Sequence, residues 1–72
     1  MDNQFVSLDL NMPLLRAAEV AQFLNVSRAL AYRLMNTGEI PIVRVNRSVR
    51  VRRIDLEAYI RDNLVSGHLG EE

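Results

Sequence analysis

Apolar side chains recur along the chain with two different periods, and the switches between them mark out its elements. Ala17, Val20, Ala21 and Leu24 follow the i, i+3, i+4, i+7 spacing of one helix face, which predicts a helix over residues 15–24. Phe23 widens that face, and Val26 is expected in the core beneath the turn that follows. Asn25 suits the left-handed conformation that ends a helix. Ser27 is a good N-cap for a second helix, in which Leu30, Ala31, Leu34 and Met35 make one apolar face. Gly38 predicts the stop, and Pro41 prevents early resumption. Leu56, Tyr59, Ile60 and Leu64 place one face of a third helix, over residues 54–64, on the core. Asp55 and Glu57 fall in its first turn, where negative charge suits the helix dipole.

Between the second and third helices the period drops to two. Val43, Val45, Val49 and Val51 share one parity, and Arg44, Arg50 and Arg52 share the other. A three-residue loop, Asn46-Arg47-Ser48, would pair Val45 with Val49 and Val43 with Val51, and set Arg44 opposite Arg50. The hairpin would then have a Val face for the core and an Arg face for something else. The same alternation at residues 6–12, with Val6, Leu8, Leu10 and Met12 apolar, predicts a short N-terminal strand closed by Pro13. A disordered tail is the plainer reading of residues 1–13.

Charge sharpens this picture. The 72 residues carry nine basic and nine acidic side chains, so the net charge is zero. All nine basic residues are Arg, and seven of them lie between Ser27 and Arg53, where Glu39 is the only acid. That stretch is therefore +6, while residues 1–26 are −2 and residues 54–72 are −4. The polar face of the second helix carries Arg28, Ala29, Tyr32, Arg33 and Asn36, with no acid among residues 27–36. Such side chains serve phosphates and base edges; an ordinary solvated helix face would usually mix in Glu or Asp. Like charges set opposite one another across a hairpin are destabilising, so the Arg face is easiest to understand if a polyanion supplies the countercharge. Gatekeeping of an exposed strand edge is the alternative.

The order helix, turn, helix, Arg-rich hairpin, helix predicts a small α+β, mostly α, winged helix-turn-helix. In such a fold the second helix enters the major groove, and the wing meets the backbone or the adjacent minor groove. The expected organisation is a strand or tail over 1–13, the winged helix over 14–64, and a flexible acidic tail over 65–72.

At this point the residues resemble the excisionase-like, MerR-type DNA-binding domains. The resemblance is carried by Leu14-Leu15-Arg16-Ala17-Ala18-Glu19-Val20-Ala21-Gln22-Phe23-Leu24-Asn25-Val26-Ser27-Arg28, by Tyr32-Arg33-Leu34, by Gly38-Glu39-Ile40-Pro41, by Val43-Arg44-Val45 with Arg50, and by Asp55-Leu56-Glu57-Ala58-Tyr59-Ile60. It covers residues 14–61. It implies that Ser27, Arg28, Tyr32 and Arg33 face DNA, and that Arg44, Arg47 and Arg50 belong to the wing; Asn46, Ser48 and Arg52 of the hairpin stretch join that set. Three departures stand out. Arg16 replaces the Thr cap that the family favours, so the capping box with Glu19 is expected to be lost. Asn25 and Asn46 stand where Gly is usual, and Asn tolerates the left-handed region. Ala29 and Leu30 occupy positions that are often polar, which implies modest base readout and more weight on phosphates and DNA shape.

The long dimerisation helix with which MerR-type regulators continue is not expected after the third helix. The resemblance then implies a phage excisionase: a DNA-bending factor whose copies bind adjacent attachment-site repeats cooperatively and turn an integrase towards excision. Double-stranded DNA, a phage integrase and further copies of the chain are the expected partners. A small transcriptional regulator is the second reading, and a protein-interaction module the third.

Other classes find little support. Without Cys there is no disulfide framework or thiolate metal site, and no metal or other cofactor is expected. No apolar run reaches about 18 residues and Met1-Asp2-Asn3-Gln4 has no basic n-region, so no membrane span or signal peptide is expected. The cytoplasm of a bacterial host is the expected location. The single His, His68, lies in the Gly-flanked tail, and Ser7, Ser27, Ser48 and Ser66 have no partner base nearby in sequence, so no enzyme is expected.

Overall fold

Five elements follow one another in a computed structural model that describes residues 12–65: α1 (Ala17–Leu24), α2 (Arg28–Asn36), β1 (Val43–Val45), β2 (Ser48–Arg50) and α3 (Arg53–Asp62). This is the small, mostly helical winged helix-turn-helix that the element order predicts. The strand expected over residues 6–12 lies outside the described residues, Met12 excepted, as does the tail from residue 66 onward.

The two N-terminal helices form where the apolar spacing puts them. Ala17, Val20 and Ala21 of α1 are buried and Leu24 half-buried, against Ala31, Leu34 and Met35 of α2. Asn25 adopts φ 59° and ψ 47°, and turns the chain with its N–H on Gln22 O at 3.2 Å. The Ser27 Oγ then accepts the Leu30 N–H at 3.1 Å and starts α2. At the other end, Gly38 takes φ +84° and donates its N–H to Met35 O at 3.3 Å. Ile40, fully buried, donates to Leu34 O at 3.1 Å. The turn thus delivers a large apolar residue into the core directly after the helix stops.

Four expectations need correcting here. First, α1 begins at Ala17, not at residue 15, because Leu15 is extended. It forms a two-way antiparallel bridge with Val51, with N–H···O distances of 2.7 and 2.9 Å. Leu15 lies off the Ala17, Val20, Ala21 and Leu24 stripe, and it is buried as an extended residue. Second, Phe23 is 52 % exposed instead of buried, with the Arg53 guanidinium 5.3 Å above its ring, and Val26 is only half-buried. Third, the hairpin loop has two residues, Asn46-Arg47, not three. The pairs are Val43 with Arg50, Arg44 with Val49 and Val45 with Ser48. Asn46 supplies a positive φ (59°) at the first loop position only, the φ pattern of a type II′ turn. One residue of register changes every cross-strand partner: Arg44 faces Val49, not Arg50, and Val45 is half exposed. Fourth, α3 spans Arg53–Asp62, and of its residues only Leu56 is fully buried, with Tyr59 packed at the core's edge. Ile60 and Leu64 are exposed because they lie past that edge, Leu64 beyond the helix end.

The core is wholly apolar. Leu15, Val20, Met35, Ile40, Val51 and Leu56 meet at its centre, and no polar or charged residue among those described is buried with them. Stability therefore rests on apolar area removed from water, at about 1.5–3 kcal/mol for each large side chain fully buried. Gly38 shows the backbone's share. Nothing lies within 4 Å of a Cβ built on it, so Gly38→Ala meets no clash and costs only the left-handed conformation. The expected loss is about 1–2 kcal/mol, read as a lower urea midpoint with an unchanged m-value, and Gly38→Asn should lose less.

Candidate nucleic-acid interface

The N-terminus of α2, the hairpin and the chain entering α1 converge on one open cleft. Arg28 and Tyr32, one turn apart on α2, form one wall. Arg47, Ser48, Val49 and Arg50 of the hairpin form another, and Arg16, Ala17 and Ala18 close the third side. The two-residue loop sets Arg47 at the wing tip. Arg50 is half-buried, and its Nη1 donates to Val49 O at 2.9 Å, which holds the guanidinium against its own strand. Tyr32 is 47 % exposed, so its ring and hydroxyl are presented rather than packed. Four Arg line the cleft, and among the described residues no Asp or Glu does.

The antiparallel bridge between Leu15 and Val51 sets two of these Arg at facing backbone positions. The next position along each chain is Arg16 on one side and Arg50 on the other, and Arg16 is still extended, at φ −88° and ψ 164°. The like-charge pair expected between Arg44 and Arg50 is replaced by one between Arg16 and Arg50. The carboxylates gather elsewhere. Glu39, Asp55 and Asp62 line a separate groove between the 38–41 turn and α3, with no Arg among its lining residues.

The other residues singled out from the sequence take different places. The Ser27 Oγ is occupied as an acceptor in capping α2, which leaves its proton to donate. Ala29, Arg33 and Asn36 are exposed on α2 but do not line the cleft, and neither do Arg44 and Asn46 on the hairpin. Arg52 is not in the wing. It is the N-cap residue of α3, where its Nε and Nη2 donate to the two Asp55 carboxylate oxygens at 2.6 and 2.9 Å. Asp55, first through these hydrogen bonds and then through its charge, raises the Arg52 guanidinium above its ordinary pKa. The parity pattern extended the strand two residues too far, and the Arg52–Asp55 spacing of i, i+3 at a helix start was the missed sign.

Ala17, Ala18, Val49 and Arg16 line the cleft outside the expected set, and Arg16 is the charged one among them. Its sign was the departure already noted, an Arg where a cap is usual. The capping box is half kept: the Glu19 Oε1 accepts the Arg16 N–H at 2.8 Å, while the Arg16 side chain, which has no acceptor, caps nothing in return.

The model of the helix-turn-helix domain family matches residues 14–64. The chain belongs to that family. Two Mycobacterium tuberculosis relatives, the "Putative DNA-binding protein Rv0500A" of strain H37Rv and the "Putative DNA-binding protein MT0521" of strain CDC 1551, are each 55 % identical to it over 38 residues. The match takes in 53 % of this helix-turn-helix protein and 49 % of each relative, so it spans about half the length of the curated proteins it resembles. No solved structure matches the chain at a significant level. Among the described residues no helix is long and apolar enough to cross a membrane, and no His, Cys, Asp and Glu cluster could hold a metal ion.

The cap that starts α2 also sets where Arg28 and Tyr32 stand. Ser27→Ala should lower stability by about 1 kcal/mol, seen as a lower thermal midpoint by circular dichroism, and Ser27→Asn should restore most of it.

Proposed function

We propose that this helix-turn-helix protein binds double-stranded DNA, with α2 in the major groove and the hairpin wing against the neighbouring backbone or minor groove. The observation that carries the reading is the cleft itself: Arg16, Arg28, Arg47 and Arg50, from three parts of the chain, with no Asp or Glu among the described residues that line it. Sequence-independent contacts dominate. Arg28 and Tyr32 are the α2 side chains that reach the cleft, whereas Leu30 is half-buried and Ala29 has no polar group. Residues 14–64 are the DNA-binding unit in this reading.

The cellular role that fits best is that of an excisionase-like architectural factor in a bacterial host, several copies of which bend attachment-site DNA beside an integrase. The helix-turn-helix family includes excisionase-like proteins. The uneven charge supports it too, since a basic cleft and a separate acidic groove on one neutral chain let copies sit side by side without accumulating repulsion. A small transcriptional regulator is the second reading, favoured by relatives that are named only for DNA binding.

Arg47→Ala and Arg50→Ala should each weaken binding on every duplex and shallow the slope of log affinity against log salt by about one. A slope equal to that of the unmodified chain would contradict the cleft reading. In a gel-shift titration on phage attachment-site DNA, several successive bands of altered mobility are expected. A single band on a palindromic site would favour the regulator.

A further inference from the structure

We propose that Arg16 is a phosphate-binding residue, the third arm of the DNA grip beside α2 and the wing; this rests on the DNA-binding reading above. Arg16 carries a local cost. At the position before Ala17 a Ser, Thr or Asp would accept a hydrogen bond from the first turn of α1, but Arg has no acceptor to offer. The N–H groups of Ala17 and Ala18, both on the cleft wall, have no acceptor among the described residues. An Arg here thus weakens the start of a helix of eight residues that forms much of the core.

It also adds a positive charge where one is least welcome. Arg16 is exposed, lines the same cleft as Arg28, Arg47 and Arg50, and stands across the Leu15–Val51 bridge from Arg50. Within the described residues no carboxylate pairs with its guanidinium; Glu19, the nearest acid in sequence, holds the Arg16 backbone N–H instead. Two unfavourable features, an unmade cap and a like-charged residue at the facing backbone position, meet at one residue. A single phosphate oxygen on the cleft answers both, by pairing with the guanidinium and by sitting over the first turn of α1. The bridge makes this geometry rigid. Arg16 follows directly from a residue hydrogen-bonded in both directions, so its guanidinium has a fixed base from which to reach the strand gripped by the wing.

Arg16→Thr in the full chain separates this role from a structural one, because the two readouts should move in opposite directions. Thr restores the capping box with Glu19, so the thermal midpoint should rise by a few degrees. Affinity for a fluorescein-labelled 20-base-pair duplex of arbitrary sequence should fall about eightfold at 0.1 M salt, and the salt slope should shrink by about one phosphate. Arg16→Lys, which keeps the charge, should retain most of the binding. If Arg16→Thr leaves affinity and slope unchanged while Arg47→Ala lowers both, Arg16 is not a phosphate contact and the DNA reading stands without it. If neither substitution changes binding to the duplex, the DNA reading fails and this inference with it.

Discussion

One pair of backbone hydrogen bonds holds this fold in working order. Leu15 and Val51 exchange N–H···O bonds at 2.7 and 2.9 Å, and both side chains are buried. A two-stranded hairpin is marginal in water by itself. Here β2 continues into a residue that is pinned on one side to the segment before α1 and runs on the other into α3. The bridge thereby ties the wing to the body, fixes where α1 can start, and sets the angle from which Arg47 and Arg50 overlook α2. Val51 is the pivot, with no exposed surface and Arg50 and Arg52 on either side of it.

Around that pivot the charges take sides. Arg50 turns towards the cleft and Arg52 towards Asp55 at the start of α3. The net charge of zero hides a separation: four Arg line the cleft with no acid among the described residues beside them, and three acids line a groove on another part of the domain. The proposed DNA face is built from residues that are individually costly there: an Arg in a capping position, facing a second Arg beside the Leu15–Val51 bridge. Since the core is entirely apolar, its stability owes nothing to those charges, and the surface is free to be tuned for an anionic partner.

The readable parts of the sequence were those where a local rule and the tertiary structure agree. The apolar stripes of α1 and α2, the Ser27 cap, the left-handed Asn25 and the Gly38 stop all depend on contacts within a few residues. What was illegible depends on partners far away in the chain. Leu15 reads as a helical residue until Val51 is known to bridge it. Alternating Val and Arg favour the three-residue loop, which would keep them on separate faces; the two-residue turn with Asn46 at positive φ overrides that pattern and sets Val43 opposite Arg50 and Arg44 opposite Val49. Phe23 lies close to the apolar stripe, yet its ring meets the Arg53 guanidinium at the surface. The candidate site was legible in Arg28, Tyr32, Arg47, Ser48 and Arg50, which share the cleft. Parity carries the expected strand on to Arg52, past its end at Arg50, and Arg16, which reads in sequence only as a poor cap, lines the cleft.

The central claim is that α1, α2 and the wing present one anion-binding cleft to duplex DNA. Nuclear magnetic resonance titration of the isotope-labelled full chain with a short duplex tests it most directly, residue by residue. The account predicts that the amide signals of Ala17, Ala18, Arg28, Tyr32, Arg47 and Arg50 move together and that those of Glu39, Ala58, Asp62 and Asn63 stay in place. Changes centred on that second group, or no change at the first, would contradict it.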